Sequence, residues 1–129
     1  MGIEEPDIDP ERFLSDVELR VGRIVDCEPF PEARKDVYKL VVDFGGERRQ
    51  SAAGLTDLYD PEDLVGSQVL AAVNLGTVNV AGFESQCLVT GVDSAGRSPA
   101  ESRAEPGDSE GGVVYLTPER EVPDGTRLY

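Results

Sequence analysis

The chain has 129 residues, 26 of them acidic and only 12 basic, for a net charge of −14; 39% are apolar. That length suits one domain with one modest core, and no stretch approaches the roughly 20 continuous apolar residues that a membrane helix needs. The acidic start lacks the basic opening and apolar run of a secretory signal, so a cytoplasmic protein with no membrane partner is expected.

Residues 1–11 read as an acidic, flexible leader, and residues 12–129 as the folded domain. Asp9-Pro10-Glu11 starts a short helix over 10–15, with Asp as N-cap and proline at the first helical position. Phe13 and Leu14 give that helix an apolar side. Val17, Leu19 and Val21 alternate with Glu18 and Arg20, and the pattern resumes at Ile24-Val25, so 17–27 reads as a long first strand. Gly22 interrupts it, as a bend or bulge does in a strand that curls. Tyr38, Leu40, Val42 and Phe44 mark a second strand over 38–44. Gly45-Gly46 is a hairpin turn signal, and 48–53 is the return strand. Asp60-Pro61 opens a second short helix that ends near Gly66. Residues 69–75, apolar except Asn74, read as a strand buried on both faces. Residues 76–82 read as a connection and 87–92 as another strand. Residues 93–112, rich in Ser, Gly, Pro, Ala and acids, read as a flexible hairpin loop. Residues 113–116 form a final core strand.

About five strands with a short helix between the third and fourth match a five-stranded OB-fold Greek-key barrel, a mostly β architecture. A small sandwich of another topology stays open from the pattern alone.

The charge is unevenly spread. Residues 55–92 carry five acids and no base, whereas 17–54 carry seven of each. Arg20, Arg23, Arg34, Lys35, Lys39, Arg48 and Arg49 therefore all fall within the first three expected strands and the turn between the first two. They make either a patch for a polyanion on a usual OB ligand surface or an ordinary solvated sheet whose bases pair with Glu18, Asp26, Glu28, Glu32, Asp36, Asp43 and Glu47. The acidic remainder suits a halophilic cytoplasm. Near 1 M salt the Debye length is roughly 3 Å, so dense carboxylates repel one another little.

Catalytic chemistry finds little support. The sequence has no histidine, the commonest general base, and none of the phosphate-loop, nucleophile-elbow or dinucleotide motifs. Cys27 and Cys87 are far apart, so a zinc site is not expected. Both read as buried free thiols. No enzyme activity, cofactor or metal is expected.

An ordered set of segments carries more information. It comprises Phe30-Pro31-Glu32-Ala33-Arg34, Lys39-Leu40-Val41-Val42-Asp43-Phe44-Gly45, Gln50-Ser51-Ala52, the stretch 68–74, Ala81-Gly82-Phe83-Glu84-Ser85-Gln86, Leu88-Val89, Leu116-Thr117-Pro118 and Val122-Pro123-Asp124-Gly125. In this order and spacing the set resembles the CsaA family, related to the tRNA-binding domains appended to methionyl- and phenylalanyl-tRNA synthetases. The resemblance covers 12–129, interrupted by the 93–112 loop. It implies an OB-fold homodimer that binds tRNA without catalysis, alone or as a partner of an aminoacyl-tRNA synthetase. CsaA proteins are also described as chaperones for unfolded or exported polypeptides, which is the second reading. A purely structural dimerisation domain is the third.

The resemblance implies binding roles at Arg34, Lys39, Gln50, Ser51, Asn74, Ser85 and Gln86. Arg34 and Lys39 suit phosphate contacts. Gln50, Asn74 and Gln86 suit base edges or 2′-hydroxyls, and Ser51 and Ser85 leave room for backbone or ribose. Phe83 either stacks on an exposed base or plugs the barrel mouth. Asn74 either contacts RNA or caps a strand end. Where the family carries basic residues, Gly76-Thr77-Val78-Asn79-Val80 has no positive charge.

Overall fold

The computed structural model describes residues 2–98 and 111–129. Its elements run α1 (Pro10–Asp16), β1 (Leu19–Pro29), β2 (Tyr38–Asp43), β3 (Arg48–Ala53), α2 (Pro61–Leu64), β4 (Gln68–Ala72), β5 (Val78–Val80), β6 (Phe83–Ser85), β7 (Leu88–Val89), β8 (Gly91–Asp93) and β9 (Val113–Tyr115). The main sheet is antiparallel, in the order β3-β2-β1-β4-β7. It nearly closes, because Gln86 N–H donates to the Gln50 carbonyl at 2.8 Å and so joins the last edge to the first. This is the mostly β, OB-fold-like barrel that the sequence predicts.

β1 is long because it serves two neighbours. Residues 19–23 pair with β4, and residues 23–29 pair with β2. The register slips between Ile24 and Asp26, and such a bulge lets a strand turn from one partner to the next. Gly22 has a different task. A Cβ there would lie 2.5 Å from Val42 Cγ1 and 2.6 Å from Phe44 Cε1, so its absence lets β2 side chains fold over β1.

Inward residues alternate along the strands, as the two-residue period requires. Ile24, Cys27, Tyr38, Leu40, Val42, Ala53, Leu55, Leu64 and Val69 form the core. Leu64, from the one-turn α2, is fully buried. Asp60 N–H bonds the Asp63 carboxylate at 3.0 Å, and Pro61 occupies the first position. The Tyr38 hydroxyl donates to the Tyr59 carbonyl at 2.8 Å, so its polar end is satisfied inside.

Two features depart from the sequence reading. The expected 76–82 connection contains β5, which pairs with β6 through a two-residue turn at Ala81-Gly82. Both turn residues have positive φ, 48° and 86°, the geometry of a tight hairpin. The expected 87–92 strand is divided at Thr90. Thr90 N–H donates to the Leu70 carbonyl, while its own carbonyl accepts from Leu116 N–H. α1 begins at Pro10 behind its Asp9 N-cap, where the sequence places a helix start. Of the expected 93–112 loop, residues 99–110 lie outside the described residues. Its base is a short ladder, with Ser94 N–H donating to the Gly112 carbonyl at 2.8 Å. No helix among the described residues is long and apolar enough to cross a membrane.

Candidate nucleic-acid interface

The seven bases of 17–54 do not form one patch. Arg20 and Arg23 turn toward the C-terminal segment. Arg20 Nη1 donates to the Gly125 carbonyl at 2.8 Å and its Nε to Glu18. Arg23 binds Glu121, Asp124 and the Gly66 carbonyl. These ties hold Glu18 below the ordinary carboxylate range, chiefly through the Arg20 hydrogen bond, and raise Arg23 through Glu121 and then Asp124. The buried Gln68 completes this clamp. Its Nε2 donates to the Val122 carbonyl and Asp124 Oδ1, both at 2.7 Å, and its Oε1 accepts from Val122 N–H at 3.2 Å.

The other five bases belong to the β2–β3 hairpin and the loop before it. Arg48 pairs with Asp43 at 3.3 Å, and Arg49 with Glu47 at 2.6 Å, both at the turn end. Asp43 also accepts from Gly45 and Gly46 N–H, at 2.9 and 2.8 Å. Its carboxyl is held below the usual range by these contacts, Gly46 foremost. Lys39 lies at the far end, 3.6 Å from Glu28. Arg34 and Lys35 are exposed and have no carboxylate partner among the described residues. The expectation of ordinary pairing thus holds for five of the seven bases, with Glu18, Glu28, Asp43 and Glu47 among the partners.

At the Lys39 end the structure assembles a cation and two rings. Lys39 Nζ lies 4.9 Å from the Phe30 ring centre and 5.7 Å from that of Phe83. The two rings meet edge to face at 5.6 Å. Such contacts favour the cation over the ring faces and the T-shaped ring pair. Phe30 is buried, whereas Phe83 is half-exposed. Phe83 therefore presents a ring edge or face outward, backed by Phe30. Phe30 was missed as a site residue because a lone Phe between two prolines reads as a turn.

Gln50, Ser51, Ser85 and Gln86 come together with this cluster, between β3 and β6. Gln86 Oε1 accepts from Gln50 N–H at 3.1 Å, and Gln50 Nε2 donates to the Glu84 carbonyl at 2.9 Å. Ser51 Oγ, fully buried, donates to the Cys87 carbonyl at 2.8 Å, and Ser85 Oγ accepts from Ala52 N–H at 3.1 Å. These four side chains seal the barrel seam. Asn74 stands apart from them. Its Oδ1 accepts from Glu18 N–H at 2.8 Å and its Nδ2 donates to the Asp16 carbonyl at 2.9 Å, so it ties the end of α1 to the end of β4. Cys27 and Cys87 are free thiols, both pushed up to about 11 by burial, and are neutral near pH 7.

The face is thus an aromatic-cationic platform at one end of β2–β3, a seam of amides and hydroxyls in the middle, and two arginines at the other end. Donors, a stackable ring and positive charge spread over the β2–β3 hairpin and β6 suit a single-stranded or looped polynucleotide.

Comparison with known proteins gives the same direction. A family model described as a putative tRNA-binding domain matches residues 19–127. The methionine–tRNA ligase of Methanocaldococcus jannaschii is 32% identical over 90% of this chain, which spans 16% of that enzyme. The chain likewise spans about one-sixth of the other curated ligases it matches. Among solved structures, the chaperone CsaA of Bacillus anthracis is 39% identical, covering 96% of this chain and all of that one, with a TM-score of 0.76. A MetRS-related protein of Pyrococcus horikoshii is 27% identical over 97% of this chain and all of its own, with a TM-score of 0.74.

Proposed function

Because the chain belongs to the putative tRNA-binding domain family, we propose that it is a non-catalytic tRNA-binding module of a salt-adapted cytoplasm, working as a homodimer, either alone or beside an aminoacyl-tRNA synthetase. The observation that carries this reading is the Phe30–Lys39–Phe83 cluster, with the unpaired Arg34 and Lys35 close to it in sequence, inside the segment that the family model matches. Phe83 takes an unpaired base by stacking, while Arg34 and Lys39 hold adjoining phosphates. Gln50, Ser51, Ser85 and Gln86 position β6 so that Phe83 faces outward, and free lone pairs and N–H groups of the two glutamines read base or ribose. Asn74 acts at this site by holding the start of β1.

Homodimer formation is supported by α1, which buries none of its own residues and leaves Phe13 and Leu14 exposed. Residues 1–9 act as an acidic leader.

Binding of unfractionated tRNA across a KCl series tests the reading. Few unpaired bases and a net charge of −14 leave little room for counterion release, so affinity falls only shallowly with salt. A steep loss above 0.5 M KCl, or equal binding of duplex DNA, contradicts it.

A chaperone reading has its own observation. Leu75 and Val78 are exposed, 58% and 62%, beside the same seam, and exposed apolar groups attract unfolded chains. Leu75→Ser with Val78→Ser abolishes any suppression of aggregation of a denatured protein under that reading, and leaves tRNA binding intact.

A further inference from the structure

Between β3 and the segment after β4 runs an open cleft lined by Glu47, Arg48, Arg49, Asn74, Thr77 and Gln86. The two walls differ in charge. From Val73 to Gly82 no residue is charged, so the cleft's positive charge sits wholly on the β3 wall. Arg48 spends only Nε, on Asp43 at 3.3 Å. Arg49 spends Nε on Glu47 and Nη1 on the Val73 carbonyl across the cleft, at 2.8 Å. A guanidinium has five N–H donors in a fixed fork, so both Nη groups of Arg48 and Nη2 of Arg49 remain unspent among the described residues. The Val73 contact also fixes the plane of Arg49 before any ligand arrives, which reduces the ordering cost of binding.

The rest of the lining supplies further donors. Gln86 uses its Oε1 on Gln50 N–H and keeps its Nε2 free, and the Thr77 hydroxyl is exposed. No aromatic ring lines the cleft, so it offers a base nothing to stack on. Free N–H and O–H groups lining the cleft beside two guanidinium forks match the oxygens of a phosphodiester.

We propose that this cleft is a phosphate subsite of the RNA-binding face, gripped by Arg48 and Arg49 from the β3 wall. The proposal rests on the tRNA-binding reading and adds where the backbone is held. Arg48 stands four residues from Ala52, and Ala52 lies opposite Lys39, so the subsite is about 13 Å along the strand from the Lys39–Phe83 platform. An RNA strand laid along β3 meets the platform at one end and the guanidinium pair at the other. The own-chain carboxylates do not block this. Arg48–Asp43 and Arg49–Glu47 are surface pairs of little net strength, and both contact the guanidinium through Nε, leaving the outer edges open.

The test uses the full chain, unfractionated tRNA and a KCl series, with Arg48→Gln, Arg49→Gln, Thr77→Lys and Phe83→Ala. Arg48→Gln is expected to weaken binding about tenfold and to flatten log affinity against log salt by about 0.7–0.9. Arg48→Lys recovers the salt slope but only part of the affinity. Arg49→Gln does the same as Arg48→Gln with a lower melting temperature, because it also loses Val73. Thr77→Lys adds a cation on the neutral wall, tightens binding and steepens the slope. If Arg48→Gln and Thr77→Lys both bind like the parent while Phe83→Ala loses affinity, the cleft holds no phosphate, and the tRNA-binding reading stands. A parent protein that binds no tRNA overturns both.

Discussion

Arg20 and Arg23 on β1, and Arg34 and Lys39 beside β2, are the same chemistry put to different uses. The first pair is consumed by the protein itself, bound to Glu18, Glu121, Asp124 and the carbonyls of Gly66 and Gly125. The second pair faces outward, Arg34 without a carboxylate partner among the described residues and Lys39 over two rings. A count of basic residues along the chain treats all four alike. What separates them is the C-terminal segment, which returns to cover one side of β1 and uses up the charge there. The acidic protein therefore has a clamp side and an open side, and only the open side has cations left for a ligand.

The largest expected effect lies on the clamp side. Gln68→Ala removes three hydrogen bonds from a buried amide and leaves Val122 and Asp124 short of partners. A loss of about 2–3 kcal/mol is expected from denaturant titration, with tRNA affinity of the folded molecules unchanged within about twofold. Equal loss of affinity breaks the division between the sides. Phe83→Ala comes next and acts the other way. Removing the stacking ring weakens tRNA binding about tenfold, within the roughly 1–3 kcal/mol seen per stacked base, and unfractionated tRNA in an anisotropy titration measures it. Arg34→Gln is smaller. With no internal partner to lose, it leaves the melting temperature unchanged and lowers the salt slope by about one contact.

An effect confined to alkaline pH belongs to the core between the two sides. Cys27 and Cys87 have thiols raised from 9.0 to about 11 by burial. A group whose pKa rises on folding contributes stability that is complete below its unfolded value and lost as pH climbs through its folded one. Stability is therefore flat up to about pH 9 and falls toward pH 11, and alkylation of the native protein at pH 8 is slow. Rapid alkylation of both thiols at pH 8 shows that the seam beside Cys87 opens readily.

The barrel was legible in the sequence because its strands carry a clean two-residue period and its turns carry their own signals. Tyr38, Leu40 and Val42 point inward as read, and Gly45-Gly46 makes the hairpin. The β5–β6 hairpin was hidden because its turn is Ala81-Gly82. Alanine adopts positive φ rarely, so nothing in the residue types announced a tight turn, although Val78, Val80, Phe83 and Ser85 alternate around it. Thr90 was hidden for the opposite reason, since Leu88, Val89 and Val92 keep the stretch apolar through a change of partner. The site was legible only in part. Family resemblance implied a role for Lys39, and Phe83 was read as either a stacking ring or a plug, but Phe30 was given no role, because its contact with both depends on a fold-back after β1. The consumption of Arg20 and Arg23 depends on a segment about a hundred residues further on, which no local pattern encodes.

Ultraviolet crosslinking of tRNA to the intact protein, with the modified residues located by mass spectrometry, tests the division most directly. Crosslinks at Phe83, Phe30 and the neighbourhood of Lys39 are the predicted result. Crosslinks concentrated between residues 120 and 129, on the side where Arg20 and Arg23 are already spent, contradict it.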